Sequence, residues 1–71
     1  MDNNISEGDM YFFLDKIGGF YKRTSGSHRM YGFDGIPEQV NMQPKDGKIK
    51  SFEVRQIREL ARKYKLDRKE D

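Results

Sequence analysis

The sequence predicts an α+β fold, a two-layer α-β-β-β-α sandwich in which both helices pack on one face of a three-stranded antiparallel sheet. Two segments, one near each end, each have a single apolar stripe at helical spacing. Short runs rich in aromatic residues, separated by glycine-containing turns, lie between them. Because a helix with one apolar stripe buries that stripe only, the second face of the sheet is expected to remain open to water or to a ligand.

The first helix is predicted to begin after Ser6, which can cap it together with Asp9 three residues later. Gly18-Gly19 is expected to end it, because glycine accepts the left-handed cap conformation. Tyr11 and Phe12 lie off the apolar stripe, either as ordinary exposed aromatics or as a surface for a protein partner. The stripe itself comprises Met10, Phe13, Leu14 and Ile17.

Three strands are predicted over residues 20–24, 28–33 and 39–42, followed by a polar loop over 43–50. Ser25-Gly26-Ser27 and Asp34-Gly35 supply the turn residues. Pro37 is expected to make the start of the third strand irregular or to place it at an edge. The pattern leaves open whether Met30 or the pair Tyr31 and Phe33 faces the core.

The second helix is predicted over about residues 52–65, with Ser51 as its cap. Its apolar stripe comprises Val54, Ile57, Leu60, Ala61 and Tyr64. A basic ridge recurs every three or four residues beside that stripe, at Arg55, Arg58, Arg62, Lys65 and Lys69. Such a ridge either binds a polyanion or serves only solubility.

Length and composition bound the class of protein. The 71 residues form one domain at 6–66, between a flexible N-terminus (1–5) and a charged tail (67–71). The chain has no cysteine and no apolar run long enough to span a membrane, so a cytoplasmic protein is expected. The net charge of +2 is uneven, because residues 1–20 hold four acids and one base. The basic remainder suggests a polyanionic partner.

The only histidine, His28, follows the Gly26-Ser27 turn and has cations nearby in the sequence. Imidazole exchanges its proton near neutral pH, so it can serve as a general acid or base. Read without other information, an isolated histidine is more often a strand-edge residue bonded to a nearby carbonyl. With one histidine and no cysteine, no metal or other cofactor is expected.

The stretch GGFYKRTSGSHRMY resembles the first hairpin of the HicA toxins, mRNA interferases neutralised by HicB antitoxins. The matching residues are Gly19-Phe20, Arg23, Gly26-Ser27-His28 and Tyr31, followed by the Asp34-Gly35 turn and Val40-Asn41-Met42. The resemblance spans residues 10–66. It implies a fold like that of double-stranded-RNA-binding domains, cleavage of mRNA at His28, and a HicB-like antitoxin as partner. Tyr11 and Phe12 are expected to contact the protein partner. The residues expected to bind RNA are Lys22, Arg23, Gly26, Ser27, Arg29, Lys45, Arg55, Arg58 and Arg62.

Two positions depart from the family pattern. Gln43-Pro44-Lys45 stands where members have Pro-x-His, so a second histidine is absent. Ser51-Phe52-Glu53 replaces a Lys-Gly-Thr entry to the second helix, where Glu53 would repel phosphate. Two other functions stay open: a non-catalytic RNA-binding module, and a degenerate toxin that acts only in protein interaction.

Overall fold

A computed structural model describes residues 4–66 and shows an α+β fold with two antiparallel sheets. One sheet contains three strands that neighbour each other in chain order, and two short strands form a separate pair. No helix within residues 4–66 is long and apolar enough to cross a membrane. In chain order the elements are β1 (Ile5–Ser6), α1 (Glu7–Lys16), β2 (Gly19–Ser25), β3 (His28–Phe33), β4 (Ile36–Met42), β5 (Lys48–Ile49) and α2 (Ser51–Lys63).

The first helix begins as predicted. The side chain of Ser6 accepts a hydrogen bond of 3.0 Å from the backbone N–H of Asp9. Glu7 and Asp9 place carboxylates in the first turn, where they complement the positive end of the helix dipole. The helix ends before Gly18, whose φ of 93° lies in the region that glycine adopts without strain.

The short β1–β5 pair was not predicted. Ile5, expected in a flexible N-terminus, pairs with Ile49, expected in a polar loop. Ile49 is fully buried, so this pair closes one end of the core. A backbone bond of 2.8 Å from Glu7 to Gly47 continues the contact. Residues 1–3 and the predicted charged tail at 67–71 lie outside the described residues.

The two predicted hairpins are present. Gly26 and Gly35 have φ angles of 62° and 75° at the two turns, which explains the choice of glycine at each. The third strand begins at Ile36, three residues earlier than predicted, and it includes Pro37. A proline fits there because β4 is an edge strand and one of its sides carries no ladder partner.

The second helix differs from the prediction at both ends. Its N-cap is Lys50, with no side-chain cap bond, and Ser51 is the first helical residue rather than the cap. It ends at Lys63 instead of continuing to Lys65, since Lys65 has a left-handed φ of 58°. The predicted ridge member Lys69 lies outside the described residues.

One core joins both helices to the sheet. Phe33 is buried and Tyr31 is half-buried against the core, which settles the orientation of β3. The apolar stripes of both helices are confirmed, although Phe13, Leu60 and Tyr64 are only half-buried. The buried hydrophobic residues are Met10, Leu14, Ile17, Phe33, Val40, Met42, Ile49, Val54, Ile57 and Ala61.

Candidate functional site

His28 is the first residue of β3, directly after the two-residue turn Gly26-Ser27. Its imidazole is exposed, and Nδ1 lies 3.0 Å from Oδ1 of Asn41 on β4. A carbonyl oxygen can only accept, so Nδ1–H donates in this bond. The neutral ring then carries its lone pair on Nε2, the nitrogen that a general base would use.

The turn beside His28 is connected to the start of α2. Gln43 Nε2 donates to Ser27 Oγ over 2.9 Å, and the Gln43 backbone N–H donates to Glu53 Oε2 over 2.9 Å. Glu53 is only 7% exposed, and within residues 4–66 its Oε1 has no hydrogen-bond partner. Glu53 was expected to repel phosphate, but its carboxylate is buried and accepts a hydrogen bond from Gln43. It is therefore not presented to a phosphate at the surface.

A β-bulge places two consecutive cations on the same face as His28. Lys22 is the extra residue where the β2–β3 register shifts. Arg23 donates from Nε to Met30 Sδ at 3.5 Å, and the Lys22 stem lies over Gly32. In a regular strand, consecutive side chains would point to opposite faces. We call this surface the His28 face; it carries Phe20, Lys22, Arg23, His28, Met30 and Asn41.

Arg29, predicted to act beside His28, points to the opposite face of the sheet. Its Nη2 lies 3.6 Å from Glu7 Oε2, and its guanidinium lies 5.8 Å from the ring centroid of Tyr11. The structure therefore pairs Arg29 with α1 and does not bring it to the His28 face.

Tyr11 was expected to point away from the core, but it is half-buried. Its ring stacks on Tyr31 with centroids 6.0 Å apart, and its hydroxyl donates to Glu7. Burial and the hydrogen bond to Glu7 raise the pKa of the Tyr11 hydroxyl above its ordinary value. Phe12, the second predicted partner contact, is 66% exposed beneath the Lys16 amine.

The remaining predicted cations lie on other elements. Lys45 pairs through its backbone with Lys48, in the loop between β4 and β5. The α2 arginines are exposed and line a shallow groove of about 270 Å³ that also contains Glu59. The members of this α2 groove are Ser51, Val54, Arg55, Arg58, Glu59 and Arg62.

Sequence reasoning missed Asn41 and Gln43. The strand register is what brings Asn41 to the site. Met30 pairs with Asn41, so His28 and Asn41 are diagonal neighbours on one face of the sheet. The sequence could have indicated this only if the exact pairing of β3 with β4 had been known. Within residues 4–66, no three His, Cys, Asp or Glu side chains converge as metal ligands would.

The chain matches no known protein family, no curated protein and no solved structure. Function must therefore be inferred from the chemistry of the site itself.

Proposed function

We propose that the protein is a HicA-like endoribonuclease toxin that cleaves mRNA without a metal ion and is held inactive by a HicB-like antitoxin. One observation carries the proposal. His28 is exposed, its Nδ1 is bonded to Asn41, and Nε2 is left to act on a substrate bound to the face that also carries Lys22 and Arg23. These are the groups that RNA cleavage needs, because RNA supplies its own nucleophile.

The chemistry is an intramolecular transesterification. His28 Nε2 removes the proton from a ribose 2′-hydroxyl, and the resulting oxygen attacks the adjacent phosphorus. Arg23, whose Nε bonds to Met30 two residues along β3 from His28, stabilises the charge that builds on the phosphorane. The bond to the 5′-oxygen then breaks, and that oxygen takes a proton from water or from the His28 imidazolium. The products are a 2′,3′-cyclic phosphate and a free 5′-hydroxyl.

The three α2 arginines supply further affinity for RNA in this proposal. Arg55, Arg58 and Arg62 share one exposed groove, and Glu59 is its one acidic member. The groove lies on a different element from His28, so it is suited to a segment of RNA away from the cleaved bond. Its contribution is electrostatic and independent of sequence.

The proposed fold is the two-layer sandwich with both helices on one sheet face. The shared core supports it, because Leu14 of α1 and Ile57 of α2 are buried with Val40 and Met42 of β4. Asn41, between those two strand residues, is exposed with His28 on the other face. This arrangement leaves the His28 face open to RNA.

The proposed antitoxin is an acidic protein that binds the same positively charged surface as RNA. Phe12 is an exposed aromatic on α1 to which this protein docks, next to the half-buried Tyr11. Co-purification with the product of the adjacent reading frame tests this partner.

The decisive experiment is cleavage of a labelled mRNA fragment by purified His28→Ala protein. Cleavage should fall by roughly 100-fold or more, the usual effect of losing a proton-transfer group. RNA affinity and the circular dichroism spectrum should change little, because His28 is an exposed residue beside a turn. Ser25→Ala, the cross-strand neighbour of His28, is the matched control and should cut normally.

Two outcomes would contradict the proposal. Equal cleavage by His28→Ala, with contaminating nucleases excluded, would remove the catalytic role. An unaltered protein that binds RNA without cutting it would make the chain a non-catalytic RNA-binding module.

A further inference from the structure

Phe20 is the large apolar residue of the His28 face. It is 46% exposed and pairs across the strands with Gly32 of β3. A Cβ built on Gly32 would lie 3.3 Å from Phe20 Cζ and 3.4 Å from Cε1. The ring therefore rests on the bare backbone of β3, and the side of the ring away from the sheet faces solvent.

The surroundings of Phe20 are cationic. The bulge brings Lys22 and Arg23 to this face, and the Lys22 stem lies over Gly32 together with the ring. The one acidic residue within β2, β3 and β4 is Glu38, and it bonds instead to Lys63, the last residue of α2, and to Tyr64, which follows it. A flat aromatic surface next to a cation complements a ligand with a flat π-system and a negative backbone.

We propose that Phe20 is a nucleobase-stacking subsite, which binds one unpaired base of a single-stranded RNA while Lys22, whose stem lies over Gly32 with the ring, contacts the adjoining phosphate. This inference rests on the RNA substrate proposed above and adds the subsite that orients it. A duplex would not fit, because its base faces are covered by neighbouring base pairs.

The distance along β3 sets the position of the cleaved bond. Gly32, beneath the ring, and His28 are four residues apart, or about 13 Å at about 3.3 Å per residue. A base on Phe20 would thus hold the strand so that a phosphate further along it, and not the one next to the stacked base, lies at His28.

The test is binding of a fluorescein-labelled ten-nucleotide RNA without secondary structure, measured by anisotropy in the His28→Ala background so that nothing is cut. Phe20→Leu keeps apolar bulk over Gly32 but removes the π-face. It should weaken binding about 5- to 150-fold, the usual effect of losing one base–aromatic stack. Phe20→Tyr should retain affinity.

Phe52→Ala is the matched control, because Phe52 is exposed to a similar degree but lies on α2. It should bind as tightly as the parent. The same sequence as a duplex should bind more weakly, and Phe20→Leu should not alter its affinity further.

Three results would overturn the inference: unchanged single-strand affinity in Phe20→Leu, an equal loss in Phe52→Ala, or no binding of the single strand at all. The results that would overturn the cleavage proposal are different from those that would overturn the stacking subsite. A protein that binds RNA through Phe20 but never cuts it keeps this inference, while one that cuts through His28 with Phe20 irrelevant loses it.

Discussion

At the scale of single residues, the bond between His28 and Asn41 decides which nitrogen can act on a substrate. The Asn41 carbonyl accepts from Nδ1, and it also fixes the plane of the ring across two strands. The same logic operates wherever a neighbour selects the tautomer of a catalytic histidine. Asn41 is thus a positioning residue, and its effect can be separated from that of His28.

Asn41→Leu should lower cleavage, but by less than the roughly 100-fold expected of His28→Ala, because the ring keeps its lone pair and loses only its preferred orientation. Asn41→Asp provides the sharper readout. A carboxylate beside the ring favours its protonated form, so the acidic limb of the pH–rate profile should move to higher pH. The profile is measured with one RNA substrate over pH 5 to 9. A purely structural role for Asn41 would lower the rate at every pH without moving the limb.

Glu53 was predicted to be unfavourable for RNA binding, but in the structure it stabilises the start of α2. In the sequence it is an acid at the start of a helix expected to touch phosphate. In the structure it is buried in the first turn of α2, where it suits the helix dipole and accepts the Gln43 backbone N–H. It connects α2 to Gln43, whose side chain donates a hydrogen bond to Ser27, next to His28.

At the scale of elements, the long periodic segments were predictable and the short ones were not. Both helices and the two hairpins follow from apolar spacing and turn residues. The two-residue strands β1 and β5 carry no readable period, because Ile5 and Ile49 are single apolar residues among polar ones. The cap of α2 depends on where β5 ends, since Lys50 is extended, with φ −69° and ψ 152°.

Contact between β4 and the end of α2 passes through Glu38. Its Oε2 accepts from Lys63 Nζ at 2.8 Å, and its Oε1 accepts from the Tyr64 hydroxyl. The hydrogen bond from Lys63, then that from Tyr64, lowers the pKa of the Glu38 carboxyl below its ordinary value of 4.5. A carboxyl with a lower pKa in the folded state stabilises the fold above its unfolded pKa and loses that effect as pH falls.

Glu38→Gln should therefore lower the Tm at pH 7, with a diminishing difference from the parent as pH falls from about 5 through the lowered pKa of the folded state. Thermal melts followed by circular dichroism at pH 7, 5, 4 and 3 would show this convergence. Glu59→Gln removes the same charge from an exposed position on α2 and serves as control. A Tm difference for Glu38→Gln that is constant across this pH range would contradict the role of the ionised carboxyl.

At the scale of the whole molecule, the candidate site could be predicted only in part from the sequence. His28, Lys22 and Arg23 share a face, and the turn residues Gly26-Ser27 adjoin it. The separation of Arg29 from His28 follows from strand alternation, which the bulge at Lys22 overrides for the cations of β2. Neither a bulge nor the pairing register has a reliable signal in one short sequence.

The molecule presents cations on two separate surfaces, the His28 face and the α2 groove, and RNA length should distinguish their roles. The longest dimension of the protein is 36 Å. A four-nucleotide RNA spans the His28 face alone, whereas a twenty-nucleotide RNA is long enough to reach α2 as well.

Changing Arg55, Arg58 and Arg62 together to Gln should lower the salt dependence of affinity for the twenty-nucleotide RNA by about two in slope, because each lost phosphate contact on a single strand is worth about 0.7. For the four-nucleotide RNA the slope should not change. Changing Lys22 and Arg23 to Gln should lower the slope for both RNAs by about 1.4. The slopes come from titrations between 50 and 300 mM KCl. If the triple arginine change left the twenty-nucleotide slope unaltered, the α2 groove would not bind RNA and its arginines would serve solubility, which leaves the His28 face as the whole RNA site.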